Sequence, residues 1–157
     1  EQLDLIEKQQ AEEAARIAEQ KRIEEEKRKE EERRKAEEAR KEAIKSVQET
    51  IVSEYAFDTT ELSQTQLNDL DSVASILNKY AELKLTIVGH TCKIGYKNIN
   101  RSKGLRRAES AKAYLVEKGI AEERILCESK GELELIVKNN SKENIAKNRR
   151  LEFVISE

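Results

Sequence analysis

The sequence contains few side chains that could do covalent or metal chemistry. His90 is the only histidine, and the two cysteines are Cys92 and Cys127. A catalytic triad or a zinc site needs several such groups together, and the chain has neither a second histidine nor a matching acid–serine pair in order. We therefore expect a protein that is not an enzyme and holds no metal or cofactor, with His90 as a structural hydrogen-bonding residue. The cysteines allow either one disulfide or two thiols.

Charge is abundant but balanced. Charged residues make up 39% of the chain, yet the net charge is only −2, so no nucleic-acid partner is expected. One basic run is either solvated or forms a lip that attracts an anionic polymer; it comprises Arg101, Lys103, Arg106 and Arg107. We find neither an apolar run of membrane-spanning length nor a signal peptide. Because the sequence starts at Glu1 without methionine, we expect a piece of a longer protein with any membrane part upstream.

Residues 1–46 have the composition of a single long helix. This segment lacks glycine and proline and is dominated by alanine, glutamate, lysine, arginine and glutamine, which are strong helix formers. Opposite charges four apart support it, in pairs such as Glu25–Lys29, Glu31–Lys35 and Glu37–Lys41. No apolar seam repeats every seven residues. The segment is expected to be a charged helical spacer of roughly 65–70 Å, either solvated and single or weakly paired.

Residues 47–157 have the pattern of a folded domain. An apolar run at 51–57 predicts a first strand, and apolar residues three and four apart from Leu67 to Tyr80 predict a helix. The later elements are a strand at 85–88, a loop marked by 98–100 and 104, a helix at 105–116 capped by Gly119, a strand starting at 125–127, and a strand at 151–155. Helical crossovers indicate a partly parallel sheet. The fold class predicted is α+β: a mixed four-stranded sheet with helices on one face in the order βαβαββ, after a long solvent-exposed helix.

A series of motifs in this second part resembles the OmpA-like C-terminal domain, which is shared with Pal lipoproteins and flagellar stator MotB proteins. The series covers roughly residues 50–156 and keeps its spacings throughout. It consists of Gly89-His90-Thr91-Cys92, Gly95, Asn100, Arg107-Ala108, Tyr114-Leu115-Val116, Gly119-Ile120, Arg124-Ile125, Gly131-Glu132 and Asn148-Arg149-Arg150-Leu151-Glu152-Phe153.

The resemblance implies non-covalent binding of peptidoglycan through the diaminopimelate of its stem peptide. That ligand presents an ammonium and a carboxylate on one carbon, so its site needs an anion and a cation close together. By position in the motifs, Arg107 would bind the carboxylate and Arg149 would be a second cation. Asn100 would order the loop or contact ligand, Thr91 lies in the ligand-binding segment, and Asp58 matches a pocket acid.

Cys92 departs from the family pattern because it stands where the family has an aspartate that binds the ammonium. Losing such a charged hydrogen bond costs roughly 1.5–3 kcal/mol. Three explanations stay open: Asp58 supplies the anion alone, the domain binds weakly or to a different stem peptide, or it keeps the fold without binding the wall. The periplasmic location that the family implies also leads us to predict a disulfide between Cys92 and Cys127 as one of two outcomes, since thiols usually pair in that compartment.

The leading functional interpretation is a wall-binding module of a Gram-negative bacterium. It would sit in the periplasm and tether the outer membrane to peptidoglycan, through a membrane-embedded or lipidated part of the same parent upstream of Glu1. Two alternatives remain. One is a structural or protein-interaction use of the fold with wall binding weakened or lost at Cys92, and the other is the anchor of a stator-type motor.

Overall fold

The computed structural model describes residues 1–52, 55 and 59–157. Contacts divide the chain into two units, Glu1–Lys41 and Glu42–Glu157. The elements in chain order are α1 (Gln2–Glu49), β1 (Ile51–Val52), α2 (Gln64–Lys79), β2 (Lys84–His90), α3 (Lys97–Glu117), a 3-10 turn (Glu122–Arg124), β3 (Ile125–Gly131), α4 (Lys142–Asn148) and β4 (Leu151–Ser156).

The predicted long N-terminal helix is confirmed as α1. Every residue from Glu1 to Ala39 is exposed, and ion pairs four residues apart join Glu25 to Lys29 at 2.8 Å and Glu31 to Lys35 at 2.9 Å. The helix extends three residues past the predicted boundary, to Glu49, and Val47 is buried in the core of the second unit. The division into 1–46 and 47–157 as separate functional domains stays a prediction.

The second unit is an α+β domain around a mixed four-stranded sheet, as predicted. The strand order is β1-β4-β2-β3. β2 and β3 are parallel, joined through α3, whereas β4 is antiparallel to both β1 and β2. The first strand is only two residues long, and Phe57, which was assigned to it from the sequence, lies outside the described residues. Among the helices in the described part of the chain, none is long and apolar enough to cross a lipid bilayer.

The hydrophobic core lies between one face of this sheet and the helices α2 and α3. Its members alternate along the strands and recur at helical spacing; they include Leu70, Leu77, Leu85, Ile87, Leu115, Ile125, Leu151 and Phe153. Polar groups secure the ends of the elements. Ser63 and Gln66 form a capping box at the start of α2, and Arg124 donates hydrogen bonds to three backbone carbonyls near its end, those of Leu77, Tyr80 and Leu83.

The prediction of a loop marked by residues 98–100 and 104 is wrong, because α3 already begins at Lys97 and contains Gly104 in its interior. Glycine weakens a helix interior, but here it permits close packing. A Cβ atom on Gly89 would lie 1.9 Å from the carbonyl oxygen of Gly104, and one on Gly104 would lie 2.4 Å from Ser129 Oγ. The backbone of α3 therefore rests directly on the backbone of β2.

The other end of α3 agrees with the sequence. Gly119 has φ +96°, and Ile120 N–H donates to the carbonyl of Leu115 at 3.2 Å, which is the pattern of a glycine-terminated helix. The short helix α4 was not predicted, because its seven residues carry too few apolar positions to give a periodic signal. Ser141 caps it by accepting the Asn144 N–H at 3.1 Å.

Replacing Gly89 with alanine should destabilise the domain by about 3 kcal/mol or more, because the added methyl group would collide with backbone that cannot rotate away. Gly104→Ala should cost less, since Ser129 can change rotamer and alanine favours the helix. Urea unfolding curves measure both changes. Ser102→Ala, on the exposed side of α3, is the matched control, and a Gly89→Ala protein as stable as this control would contradict the packing argument.

Candidate functional site

The candidate site lies where β2 ends and α3 begins. His90 is the last residue of β2, and Thr91 continues along the sheet by donating its N–H to the Gly131 carbonyl at 2.8 Å. The Gly89–Gly104 contact holds the first half of α3 against these strand ends. Residues of the 91–92 segment and of the first turns of α3 are therefore brought together by backbone packing.

Asn100 joins the segments around the site. Its side chain is 2% exposed, and its amide nitrogen donates to the Glu132 carboxylate at 2.9 Å and to the Cys92 carbonyl at 3.5 Å. The second bond holds the loop that carries Cys92, and the first joins α3 to the segment that follows β3. These contacts support the loop-ordering role considered from the sequence, and the ligand-contact role stays a prediction. Glu132 belonged to the recognised motif, but it had not been assigned a part in the site.

Arg107 is a buried guanidinium. It is 1% exposed, its Nε donates to the Thr59 carbonyl at 2.9 Å, and its guanidinium carbon lies 4.9 Å from the centre of the Tyr55 ring. Burial raises the pKa of the Tyr55 hydroxyl well above its ordinary value, although the Arg107 charge opposes the rise. Arg107 therefore stacks on a neutral ring and also contributes to packing.

Arg149 approaches the site from the other side, at the end of α4. Its Nε donates to the Tyr55 carbonyl, and its Nη1 lies 3.8 Å from the sulfur of Cys92. Cys92 itself is 3% exposed. Cys92, which stands at the position of the acid in the motif, thus lies in van der Waals contact with the guanidinium group of Arg149.

These groups line one narrow pocket, whose free volume of about 10 Å³ is at most that of a single water molecule, so a ligand group would have to part its walls. Its walls are Thr91, Cys92, Ile94, Asn100, Lys103, Arg107 and Arg149. The structure therefore brings together five of the six residues selected from the sequence, while the sixth, Asp58, lies outside the described residues. Two lining residues, Ile94 and Lys103, were not selected. Lys103 was within the basic run noted in the sequence, and its spacing of three and four from Asn100 and Arg107 places all three on one face of α3.

A second polar cluster lies directly behind the pocket. His90 is fully buried, and its Nε2 lies 3.4 Å from one carboxylate oxygen of Glu152. The other oxygen of Glu152 accepts from Arg150 Nε at 2.8 Å. The backbones of His90 and Arg150 also exchange hydrogen bonds of 2.8 and 3.3 Å. The backbone bonds join the strand leading to Thr91 to the strand that follows Arg149. Within the described part of the chain neither ring nitrogen of His90 has a hydrogen-bond partner, so the hydrogen-bonding role expected of its side chain stays a prediction.

Asn148 orders the loop beside this cluster, a role that the sequence motif did not reveal. It is fully buried, and its Oδ1 accepts the N–H groups of Ile136 and Val137 at 3.0 and 3.3 Å. Its Nδ2 donates to the Val137 carbonyl at 3.1 Å. Of the Asn148-Arg149-Arg150 motif, only Arg149 lines the pocket.

The predicted disulfide is absent, since Cys92 and Cys127 are both free thiols. In the parallel register Cys127 lies beside Ile87. From Ile87 the strand continues for about 10 Å to His90, and Cys92 lies two residues farther along the chain. A disulfide needs Cα atoms within roughly 4.4–6.8 Å. Burial also raises the pKa of the Cys127 thiol.

Across the described ranges 1–52, 55 and 59–157, no cluster of histidine, cysteine or acidic side chains is arranged to hold a metal ion.

Comparison with known proteins assigns the domain to a family. Residues 54–149 match the model of the OmpA family, and the chain belongs to that family. It is 40% identical over 101 residues to outer membrane protein A of Bordetella avium, an alignment that covers 64% of this chain and 52% of that protein. The chain thus spans about half the length of this relative.

Solved structures show the same fold. The peptidoglycan-associated lipoprotein of Burkholderia pseudomallei superimposes with a TM-score of 0.66 at 22% identity, covering 71% of this chain and 93% of that chain. The C-terminal domain of Helicobacter pylori MotB gives a TM-score of 0.63 at 20% identity, covering 69% and 84%. The predicted OmpA-like fold class is confirmed.

Stability should fall on mild acidification because of His90. Burial, and then the Arg150 charge, lower the pKa of His90 below its ordinary value, while Glu152 and Glu134 oppose this and Lys130 adds to it. The unfolded chain therefore takes up a proton near pH 6.5 that the folded chain takes up only at lower pH. The free energy of unfolding is undiminished above pH 6.5 and falls below it, by up to about 1.4 kcal/mol per pH unit, until the folded-state pKa is reached.

Urea unfolding of the parent and of His90→Gln between pH 7.5 and pH 5 tests this expectation. His90→Gln should have a flatter profile in that window, because glutamine does not titrate. Equal slopes for the two proteins would show that other groups cause the pH dependence.

Proposed function

We propose that residues 47–157 are a non-catalytic peptidoglycan-binding domain that attaches its parent protein to the cell wall, and that residues 1–46 are a helical spacer. The observation that carries the proposal is the pocket itself: Thr91, Cys92, Asn100, Arg107 and Arg149 come from three separate parts of the sequence and line one cavity. Names of relatives support it, since one similar structure is a peptidoglycan-associated lipoprotein. The domain would lie in the periplasm, with its parent held in the outer membrane by a region upstream of Glu1.

The pocket chemistry suits a ligand with a carboxylate. Three of the seven lining residues are cations, namely Lys103, Arg107 and Arg149. Guanidinium groups bind carboxylates through paired, charge-assisted hydrogen bonds. We assign the carboxylate of the diaminopimelate stem peptide to Arg149 and Arg107, with Thr91 and Asn100 as the neutral polar neighbours and Asp58 as the acid that would bind the ammonium.

A pull-down on purified sacculi tests the proposed function. The parent should sediment with sacculi, and Arg149→Gln should lose most of this binding because a half-buried cation is removed from the pocket wall. Arg106→Gln is the matched control, since Arg106 is an exposed arginine of α3 that does not line the pocket. If the parent fails to sediment, or if the two variants sediment equally well, the pocket is not a wall-binding site. Melting temperatures of both variants verify that they are folded.

The neutral thiol at position 92 should limit affinity. Cys92→Asp would place a carboxylate beside Arg149 and next to the ligand ammonium, so the affinity for diaminopimelate stem peptide should rise by about one to two orders of magnitude. Cys92→Ser is the neutral control and should bind as the parent does. Calorimetric titration measures all three proteins.

Asp58→Asn completes this series. If Asp58 alone supplies the anion, Asp58→Asn abolishes binding in the parent, and Cys92→Asp restores part of it. An unchanged affinity in Cys92→Asp would mean that the ammonium is not bound at this position.

A further inference from the structure

Among the described residues, the side chain of Tyr96 neither caps a helix nor packs in the core. It occupies the N-cap position of α3 but makes no side-chain capping hydrogen bond, although serine, threonine, aspartate and asparagine are the residues that cap helices well. Its side chain is 77% exposed, so it does not pack in the core either. A large aromatic ring is thus held in solvent by the first turn of a well-anchored helix.

The surroundings of Tyr96 connect it to the pocket. Ile94, two residues earlier, lines the pocket and is itself 40% exposed. Ile99, one turn later, is 44% exposed. Three apolar side chains of one short segment, those of Ile94, Tyr96 and Ile99, are therefore exposed, and the first of them also lines the pocket.

The chain segment that carries these side chains is cationic, and the Glu132 carboxylate lies close by, 2.9 Å from the Asn100 amide. From residue 93 to residue 108 the sequence contains no acid and six cations, which are Lys93, Lys97, Arg101, Lys103, Arg106 and Arg107. A partner suited to this segment therefore combines an apolar face for Tyr96 with negative charge for the cations of the same segment. The apolar area is one aromatic ring and two partly exposed isoleucines, which is small compared with the continuous apolar face of helices that bind membranes.

The ligand of the proposed function has this combination. A stem peptide is a branch of a glycan strand, so when one of its residues enters the pocket, the sugar that carries the branch lies no farther from the pocket mouth than the short peptide between them can reach. Sugar rings present faces of C–H groups that stack on aromatic rings, and tyrosine offers a rigid face with few rotatable bonds. The peptide carboxylates match the surrounding lysines and arginines.

We propose that Tyr96, with Ile94, forms a subsite for a sugar ring of the glycan strand whose stem peptide occupies the pocket. The proposal rests on the proposed function, because the peptide in the pocket determines where the sugar lies. Tyr96 then sets a preference for peptide that is still attached to its glycan over free peptide.

The test compares two ligands by calorimetric titration: a disaccharide–tetrapeptide released from sacculi by a muramidase, and the same tetrapeptide without sugars. The parent should bind the disaccharide–tetrapeptide about three- to tenfold more tightly, the range expected of one stacked ring. Tyr96→Ala should lose this difference and bind the free tetrapeptide as the parent does. Tyr96→Phe should keep most of the difference.

Two controls separate binding from folding. Tyr96→Ser should cap α3 at least as well as tyrosine, so its melting temperature should be equal or higher while the sugar-dependent affinity is lost. Leu126→Ala removes another exposed apolar side chain, 64% exposed on β3, and should bind both ligands like the parent.

The inference is overturned if the parent binds the two ligands equally, if Tyr96→Ala retains the difference, or if Tyr96→Ala weakens both ligands by the same factor. In these outcomes peptide binding persists and the proposed function stands. A parent that binds neither ligand overturns the proposed function as well. Binding to vesicles of phosphatidylglycerol and phosphatidylethanolamine that depends on Tyr96, without any sugar-dependent gain, would identify a membrane surface instead and would also overturn the inference.

Discussion

The direct contact between the backbones of Gly89 and Gly104 is the constraint on which the site depends. A side chain at Gly89 would push α3 away from the strands, since its Cβ atom would lie only 1.9 Å from the Gly104 carbonyl oxygen. A Cβ atom at Gly104 would lie 3.0 Å from the Gly89 carbonyl oxygen and 2.4 Å from the Ser129 hydroxyl, which can rotate away. The pocket residues on α3 lie beside the strand ends only because no side chain separates the helix from the strands at these two glycines. Well-packed interiors do not absorb such displacements, so the geometry of the pocket follows from two missing side chains.

Buried polar side chains also hold the segments of the site in place. Asn100, Arg107 and Asn148 are each at most 2% exposed, and each bonds to backbone carbonyl or N–H groups of a segment distant in sequence. Buried polar groups of this kind are costly unless they are paired. Their pairing fixes the loops on which binding residues lie, so the loops around the pocket are ordered without entering the hydrophobic core.

Cys92 places a thiol, rather than an acid, among the cations of the pocket wall. The thiol is buried and faces Arg149 at 3.8 Å, in a wall that also contains Lys103 and Arg107. Three cations and a neutral thiol favour the carboxylate of a ligand more than its ammonium. In the proposed function the ammonium of the ligand therefore needs an acid elsewhere, and Asp58 is the residue assigned to it.

The sequence by itself determined the elements with strong local signals and the family. The charged helix, α2, the end of α3 at Gly119 and the final strand all follow from composition, periodicity and capping, which act over a few residues. Motif spacing also selected five residues that line the pocket. Tertiary structure decided the rest: Gly104 lies inside a helix because β2 packs against it, Asn100 and Asn148 order loops, and strand register keeps Cys127 away from Cys92. These outcomes depend on contacts between segments far apart in the chain, for which a single sequence carries no local signal.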